Sequence, residues 1–298
     1  MRYIFFGTPT FAKIVLKELI DSKIPPIAII ANPDRPFGRK KIIKEPETKK
    51  LVLEYNEKNQ EKINIFQPEK IDDKFIKEIS EQNPELFVVA AYSKIIPQNV
   101  LDIAKFGAIG VHPSLLPKYR GTSPIQSVLL NGEDETGVTI YKIDEKVDHG
   151  EIILKEKYKI SEEDDYESLV YKLGNIGGQL AVKTINEFEK VIKEMRQQDE
   201  SQATFTKKFK TEDGYVTPED LKEAMNGNIE IAKKILNKIR GLNKEPGVWT
   251  IANDLSNKHI SIKDGERVKI LKAKIINEKL ALIQIQREGQ KPIYFEKI

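Results

Sequence analysis

The sequence predicts an α/β protein: a mostly parallel sheet flanked by helices, followed by a smaller domain built as a β-barrel. Two observations carry this prediction. Over the first two thirds of the chain, short apolar runs alternate with segments of helical periodicity, a pattern typical of βαβ units. Over about the last 50 residues, five short strand-like runs follow one another closely, a pattern typical of a small barrel.

The first domain begins with a buried run that ends in Gly7-Thr8-Pro9, and helical spacing follows it. We expect five parallel strands, at Tyr3–Phe6, Ile27–Ala31, Ile63–Phe66, Leu86–Ala90 and Ala108–Val111. Thr136–Ile143 and Ile152–Tyr158 show partial polar alternation, which predicts antiparallel strands at an edge. A predicted helix over Tyr166–Ile192 completes the domain.

The stretch KEMRQQDESQAT, Lys193–Thr204, has almost no core-forming residues and predicts a linker. We therefore expect a first domain over residues 1–192, a linker over 193–206 and a second domain over 207–298. In the second domain we expect one helix at Ile229–Ile239. The five expected strands are Trp249–Ile251, His259–Ile262, Val268–Ile275, Leu280–Gln286 and Ile293–Phe295.

Composition narrows the function classes. The chain has 298 residues, a net charge of +3 and no cysteine, which fits a reducing compartment and excludes disulfides. No apolar run reaches the ~20 residues of a membrane span, so we expect a cytoplasmic protein. From residue 201 onward, 19 Lys/Arg stand against 13 Asp/Glu. This excess suits a large anionic partner, although on charge alone a solvated lysine-rich surface is the simpler explanation.

Two candidate catalytic residues follow predicted strands. His112 lies in the loop GVHPSLLPKYRG, at a strand end where open α/β sheets bind ligands. Asp148 lies in the turn DEKVDHG. A carboxylate beside an imidazole would orient the ring and stabilise its protonated form for acid–base work. The alternatives, a structural histidine and an ordinary turn aspartate, stay open, because the sequence does not bring the two side chains together.

A third candidate feature is the basic segment PDRPFGRKKIIKEPETKK, residues 33–50. Three prolines and Gly38 exclude a single helix, and we expect a long loop. Its cations could bind nucleic-acid phosphates, or they could simply be solvated. No histidine spacing predicts a metal site, and the first βα turn, GTPTFA, lacks the glycine pattern of a dinucleotide-binding loop.

The segments VHPSLLP and VDHG resemble the signature of the folate-dependent formyltransferases, roughly N-x-H-x-S-L-L-P followed later by D-x-G. Further segments resemble the branch of that family that acts on tRNA. They are GTPTFA, PDRPFGRKK, AYSKIIP, ATFTKKF and IRGLNKEPGVWT. The resemblance covers nearly the whole chain, and it implies a Rossmann-like formyltransferase domain followed by an OB-like domain that helps to bind tRNA.

The resemblance also implies a reaction and its residues. A formyl group would pass from 10-formyltetrahydrofolate to the amine of methionine on initiator tRNA, in a monomeric enzyme without a metal, with His112 and Asp148 at the reacting atoms. The residues implied for folate binding are Ser114, Leu115, Leu116, Pro117, Ala91, Tyr92, Ser93, Ile95 and Asp144. The residues expected to bind the tRNA are Arg35, Arg39, Lys40 and Lys41.

Two positions depart from the family pattern. The usual asparagine two residues before the histidine is Gly110 here, and the usual glycine of A-Y-G is Ser93. The first change removes an amide from the expected oxyanion site, and the Ser93 hydroxyl is a candidate substitute. Two other functions therefore stay open: formyl transfer to a sugar or another small amine, and binding of folate or tRNA without catalysis.

Overall fold

A computed structural model describes residues 1–37, 41–252 and 265–295. The elements up to residue 131 are β1 (Tyr3–Phe6), α1 (Thr10–Asp21), β2 (Ala28–Ile30), β3 (Arg35–Phe37), β4 (Ile42–Lys44), α2 (Glu47–Lys58), β5 (Asn64–Phe66), α3 (Asp73–Ser80), β6 (Leu86–Ala90), α4 (Gln98–Leu101), β7 (Ala108–His112) and α5 (Pro124–Asn131). The later elements are β8 (Glu135–Lys142), β9 (Ile152–Lys159), α6 (Tyr166–Asn186), α7 (Phe188–Val191), α8 (Pro218–Asn226), α9 (Ile229–Leu242), β10 (Trp249–Ile251), β11 (Arg267–Ile276), β12 (Lys279–Arg287) and β13 (Ile293–Tyr294).

The chain divides into two compact units. Unit 1 comprises residues 1–121, 135–159 and 168–205, and unit 2 comprises residues 122–134, 160–167 and 206–298. Within the described ranges, no helix combines the length and the apolarity that crossing a membrane requires.

Unit 1 is built on a seven-stranded sheet with the strand order β5-β2-β1-β6-β7-β8-β9. The first five strands are parallel, whereas β8 and β9 are antiparallel to their neighbours. Strands β1, β2 and β7 are buried along their whole length, because helices cover both faces of such a sheet. The predicted α/β class, the mostly parallel sheet and the antiparallel edge are confirmed.

Two parts of unit 1 differ from the sequence prediction. The basic segment, expected as a loop, contains the antiparallel hairpin β3–β4, in which Pro36 pairs with Ile43. A two-stranded hairpin has only edge strands, and these tolerate a residue without an N–H. The long helix predicted to reach Ile192 ends at Asn186. The chain then turns, and the ring of Phe188 packs against the ring of Phe106 with their centroids 5.0 Å apart.

Unit 2 contains a four-stranded antiparallel sheet with the order β10-β11-β12-β13. Helices α8 and α9 pack on it, and α5 packs on α9. Its core includes Leu221, Ile235, Ile239, Val268 and Ile285. A small C-terminal β domain is therefore confirmed, while the strand expected at residues 259–262 lies outside the described residues.

The segment expected as a linker, residues 193–206, makes specific contacts within unit 1 up to residue 205. Arg196 and Ile152 exchange two backbone hydrogen bonds of 2.8 and 3.0 Å. The Thr204 carbonyl accepts the Arg120 N–H at 2.8 Å. These contacts lead the segment past the loops that carry the candidate catalytic residues.

Candidate active site

Strands β7 and β8 bring one set of side chains to the same face of the sheet. In their antiparallel register Gly110 lies opposite Tyr141, and His112 lies opposite Thr139. Because side chains alternate along a strand, these four positions point to one face. His112 is the last residue of β7, so the sequence places it where the strand gives way to a loop.

The structure brings His112 and Asp148 together. The imidazole Nδ1 lies 3.6 Å from the Asp148 Oδ2, and the two side chains are only 8% and 14% exposed. The other ring nitrogen, Nε2, lies 2.9 Å from the Tyr119 carbonyl oxygen. Since a carbonyl can only accept, Nε2 carries a hydrogen, and Nδ1 is the nitrogen that faces the carboxylate.

The Asp148 carboxylate is held by one donor on each oxygen. The Gly121 N–H donates to Oδ2 at 2.6 Å, and the Tyr141 hydroxyl donates to Oδ1 at 2.6 Å. Asp148 itself has a left-handed backbone, with φ 49°. Gly150 completes the turn, because a Cβ there would lie 1.8 Å from the Lys142 carbonyl oxygen. The D-x-G pattern therefore has a steric cause in this turn.

Tyr141, whose hydroxyl contacts Asp148, is a residue of this cluster that the sequence motifs do not single out. Burial, and then the nearby Asp148 charge, raise the pKa of the Tyr141 hydroxyl well above its usual value, so the phenol stays neutral and donates its hydrogen. The available signal was Gly110, because a glycine inside a buried strand often marks the close approach of another group.

The buried side chains of Gln198 and Arg120 form a hydrogen-bonded pair that holds the Asp148 turn. Gln198, 8% exposed, donates through Nε2 to the backbone carbonyls of Asp148 and Gly150, at 2.9 and 2.8 Å. Its Oε1 accepts from the Arg120 guanidinium at 2.8 and 3.1 Å. The guanidinium also binds both oxygens of Glu200, and this hydrogen bonding is the main cause that lowers the pKa of Glu200.

We expect Gln198→Leu to lower the free energy of unfolding by about 1–3 kcal/mol, because it removes the hydrogen bonds that Gln198 makes with buried polar groups. Turnover should also fall, since the Asp148 turn loses its support. The measurements are denaturant unfolding and the assay described below. The matched control is Gln202→Leu, an exposed glutamine of the same segment, which should change neither quantity. Equal effects of the two variants would exclude a specific role for Gln198.

The Ser114–Pro117 loop is fixed by internal hydrogen bonds. Ser114 and Leu116 are fully buried. The Ser114 hydroxyl donates to the Lys118 carbonyl at 2.7 Å, and the Leu116 N–H donates to the Thr139 hydroxyl at 3.1 Å. Leu115 and Pro117 are partly exposed. A ligand beside this loop would therefore contact those two side chains and the loop backbone.

The segment after β6 presents a different surface. Ala91 and Ser93 are exposed, and Ile95 is 89% exposed. The Tyr92 hydroxyl is buried without a hydrogen-bond partner among the described residues, and burial raises the pKa of Tyr92 to about 12. The Ser93 hydroxyl accepts from the Asn32 amide at 3.0 Å, so the structure gives it a partner outside the His112 cluster.

The remaining predicted residues lie in two loops. The Asp144 Oδ2 lies 2.6 Å from the His149 Nδ1, next to the Asp148 turn. Arg35 and Lys41 are exposed on the β3–β4 hairpin, and Arg35 pairs with Glu69 at 2.5 Å. Arg39 and Lys40 lie outside the described residues. The described ranges contain no cluster of three or more His, Asp or Glu side chains arranged to hold a metal ion.

The sequence profile described as formyl transferase matches residues 1–185. The chain belongs to the formyl transferase family. It is 39% identical to the methionyl-tRNA formyltransferase of Thermodesulfovibrio yellowstonii over 92% of this chain and 80% of the relative. It is 35% identical to that of Staphylococcus aureus (strain MW2) over 97% of this chain and 86% of the relative. The family resemblance of the sequence motifs is thus confirmed, and it points to the methionyl-tRNA formyltransferases.

Solved structures of formyl transferases share the fold. WlaRD, a sugar 3N-formyl transferase in the presence of dTDP and 5-N-formyl-THF, superposes with a TM-score of 0.61 at 19% identity, over 93% of this chain and 87% of that one. The methionyl-tRNA formyltransferase from Clostridium thermocellum superposes with a TM-score of 0.55 at 19% identity, over 96% and 98%. At these identities the likeness concerns the fold alone.

Proposed function

We propose that this chain transfers a formyl group from 10-formyltetrahydrofolate to the amine of methionine on initiator tRNA. The observation that carries the proposal is the contact between His112, at the end of β7, and Asp148, in the turn between β8 and β9, in a chain whose relatives are methionyl-tRNA formyltransferases. A buried imidazole next to a carboxylate suits proton transfer. We assign the reaction to the cytoplasm and to a monomer, as the sequence predicts.

The reaction needs no covalent enzyme intermediate. The methionine amine attacks the formyl carbon and forms the new C–N bond, which places negative charge on the formyl oxygen. Protonated His112 stabilises that oxygen by its positive charge, while Nε2 is held by the Tyr119 carbonyl and Nδ1 faces the Asp148 carboxylate. The carboxylate of Asp148 stabilises the imidazolium. As the tetrahedral intermediate collapses, the bond to the folate nitrogen breaks, and the proton lost by the amine passes to that nitrogen.

Folate binding is proposed for the loops around this pair. Leu115 and Pro117 offer partly exposed apolar surface. Beyond strands β6 and β2, which lie on either side of β1, the buried Tyr92 hydroxyl and the buried Asn32 Oδ1 have no hydrogen-bond partner among the described residues. Buried polar atoms of this kind normally have a partner, so both suit a polar ligand. Asp144, in the loop that also carries Asp148, completes the proposed set.

The β3–β4 hairpin is proposed to bind the tRNA. Arg35 is exposed, and its ion pair with the exposed Glu69 contributes little, so exchanging it for a phosphate is easy. Lys41 is exposed at the turn. We also propose that the C-terminal sheet belongs to an OB-like domain that assists tRNA binding, with residues 1–192 as the catalytic domain and 207–298 as the second domain.

We expect alanine at Arg35, Arg39 or Lys41 to raise the KM for the tRNA while leaving the KM for the folate within about twofold. Each lost phosphate contact should lower the salt dependence of tRNA binding by about one unit of log–log slope. The measurement is steady-state kinetics at several salt concentrations. Lys190→Ala, an exposed cation of α7 paired with Glu187, is the matched control. A parallel rise in the KM of both substrates would contradict the assignment of the hairpin.

One assay tests the proposed function. The purified chain is incubated with 10-formyltetrahydrofolate and methionyl initiator tRNA, and N-formylmethionine is measured after the ester is hydrolysed. We expect formylation of the tRNA in preference to amino-sugar nucleotides offered at equal concentration. Transfer to the sugar amine alone would favour a sugar formyltransferase, and binding of tRNA or folate without any transfer would favour a binding protein.

A further inference from the structure

Tyr141 occupies the volume that a side chain at position 110 would fill. A Cβ on Gly110 would lie 2.2 Å from the Tyr141 Cε1 and 2.8 Å from its hydroxyl oxygen. These distances are too short for non-bonded atoms, so the phenol and any side chain at position 110 exclude each other. The cause is the strand register, which sets Gly110 directly opposite Tyr141 on β7 and β8.

The phenol reaches both members of the candidate catalytic pair. Its ring stands edge-on to the His112 ring, with the centroids 6.4 Å apart and the planes at 88°. Its hydroxyl donates to the Asp148 Oδ1 at 2.6 Å. Tyr141 thus contributes a neutral donor in direct contact with the carboxylate.

Two hydrogen-bond donors restrict the orientation of the Asp148 carboxylate more than a single donor would. The χ2 torsion of aspartate is broad, so a single donor, the Gly121 N–H on Oδ2, leaves the carboxylate plane loosely defined. The Tyr141 hydroxyl on Oδ1 fixes that plane. With both donors in place, Oδ2 is the oxygen that faces His112 Nδ1.

We propose that Tyr141 is a positioning residue of this active site, whose hydroxyl enters through the space left by Gly110 and aims the Asp148 carboxylate at His112. The inference rests on the proposed function for its kinetic effect, although the contact itself does not. It predicts that Gly110 and Tyr141 act as one unit and tolerate substitution only together.

Tyr141→Phe is the first test, because it keeps the ring and removes only the hydroxyl. We expect kcat for formyl transfer to fall about 10–100-fold, the effect of losing one hydrogen bond to a charged group. The KM values of both substrates should stay within about twofold. Tyr158→Phe, on the adjacent strand β9, is the matched control and should leave kcat unchanged. A kcat of Tyr141→Phe within twofold of the wild type would overturn the inference.

The second test separates a polar role from simple packing. Tyr141→Ala empties the volume above Gly110, and two double variants refill it: Gly110→Asn with Tyr141→Ala, and Gly110→Leu with Tyr141→Ala. Asparagine and leucine have similar size, but only the amide can donate to Asp148. We expect the asparagine variant to recover at least about tenfold in kcat over Tyr141→Ala and the leucine variant to recover little. Equal recovery with leucine, or none with asparagine, would assign Tyr141 to packing and overturn the inference.

A third measurement requires no substrate. The ¹⁵N chemical shifts of the His112 imidazole, recorded at a fixed pH, should differ between the wild type and Tyr141→Phe, while those of His149 stay constant. Unchanged His112 shifts would overturn the positioning role. Altered His112 shifts support that role even if the wild type fails to formylate the tRNA, in which case only the proposed function fails.

Discussion

Replacing His112 with alanine should lower kcat for formyl transfer by about 10²–10⁴-fold, the usual contribution of a group that moves or supplies a proton in the transition state. The effect should appear in kcat rather than in KM, because the charge that His112 stabilises develops only after the amine attacks. The check is steady-state formylation of methionyl initiator tRNA at saturating folate.

A second variant separates chemistry from folding. His112 is buried and Nε2 donates to the Tyr119 carbonyl, so alanine leaves a cavity and removes this donor from the carbonyl. His112→Gln retains an N–H donor for that carbonyl but lacks the titratable ring. Both variants should lose activity, and His149→Ala, an imidazole in the Asp148 turn, should lose less than about fivefold. A His112→Gln enzyme with kcat within tenfold of the wild type would remove His112 from the mechanism.

The sequence predicted the sheet of unit 1 because most of its parallel strands are buried on both faces and are therefore written as apolar runs. It predicted β8 and β9 as antiparallel because their alternation marks an edge of the sheet. It missed the β3–β4 hairpin, since the prolines and cations of that segment are typical of loops. Such a hairpin has little apolar burial to mark it, and Ile42 and Ile43 are both exposed.

Two residues of the candidate site, His112 and Asp148, were predictable from the sequence, although their contact was not. His112 and Asp148 could each be selected from their places after predicted strands, and their contact depends on the β7–β8 register and on the left-handed turn at Asp148. Neither the register nor the turn conformation follows from the local sequence pattern. The same register places Tyr141 over Gly110. The sequence shows at this position only the absence of the family's asparagine, whereas the structure shows that the Tyr141 phenol fills the space that this side chain would take.

Asp148→Asn removes the negative charge at position 148 while keeping the conformation of the turn. Asparagine tolerates a left-handed backbone, so the turn at φ 49° should persist, whereas alanine would add strain there. The amide oxygen can still accept the Gly121 N–H. The amide nitrogen then faces the Tyr141 hydroxyl, which can rotate to accept instead of donating. The fold and the hydrogen-bond geometry should therefore survive without the negative charge.

We expect this variant to lose about 10²-fold or more in kcat, because the His112 imidazolium loses the carboxylate that stabilises it. Thermal unfolding should show a folded protein, and binding of the folate should stay within about threefold of the wild type. Glu145→Gln removes an exposed negative charge from the same loop and is the matched control, with kcat expected within twofold. If Asp148→Asn turned over as fast as Glu145→Gln, the carboxylate would only shape the turn, and His112 would act without a charged partner.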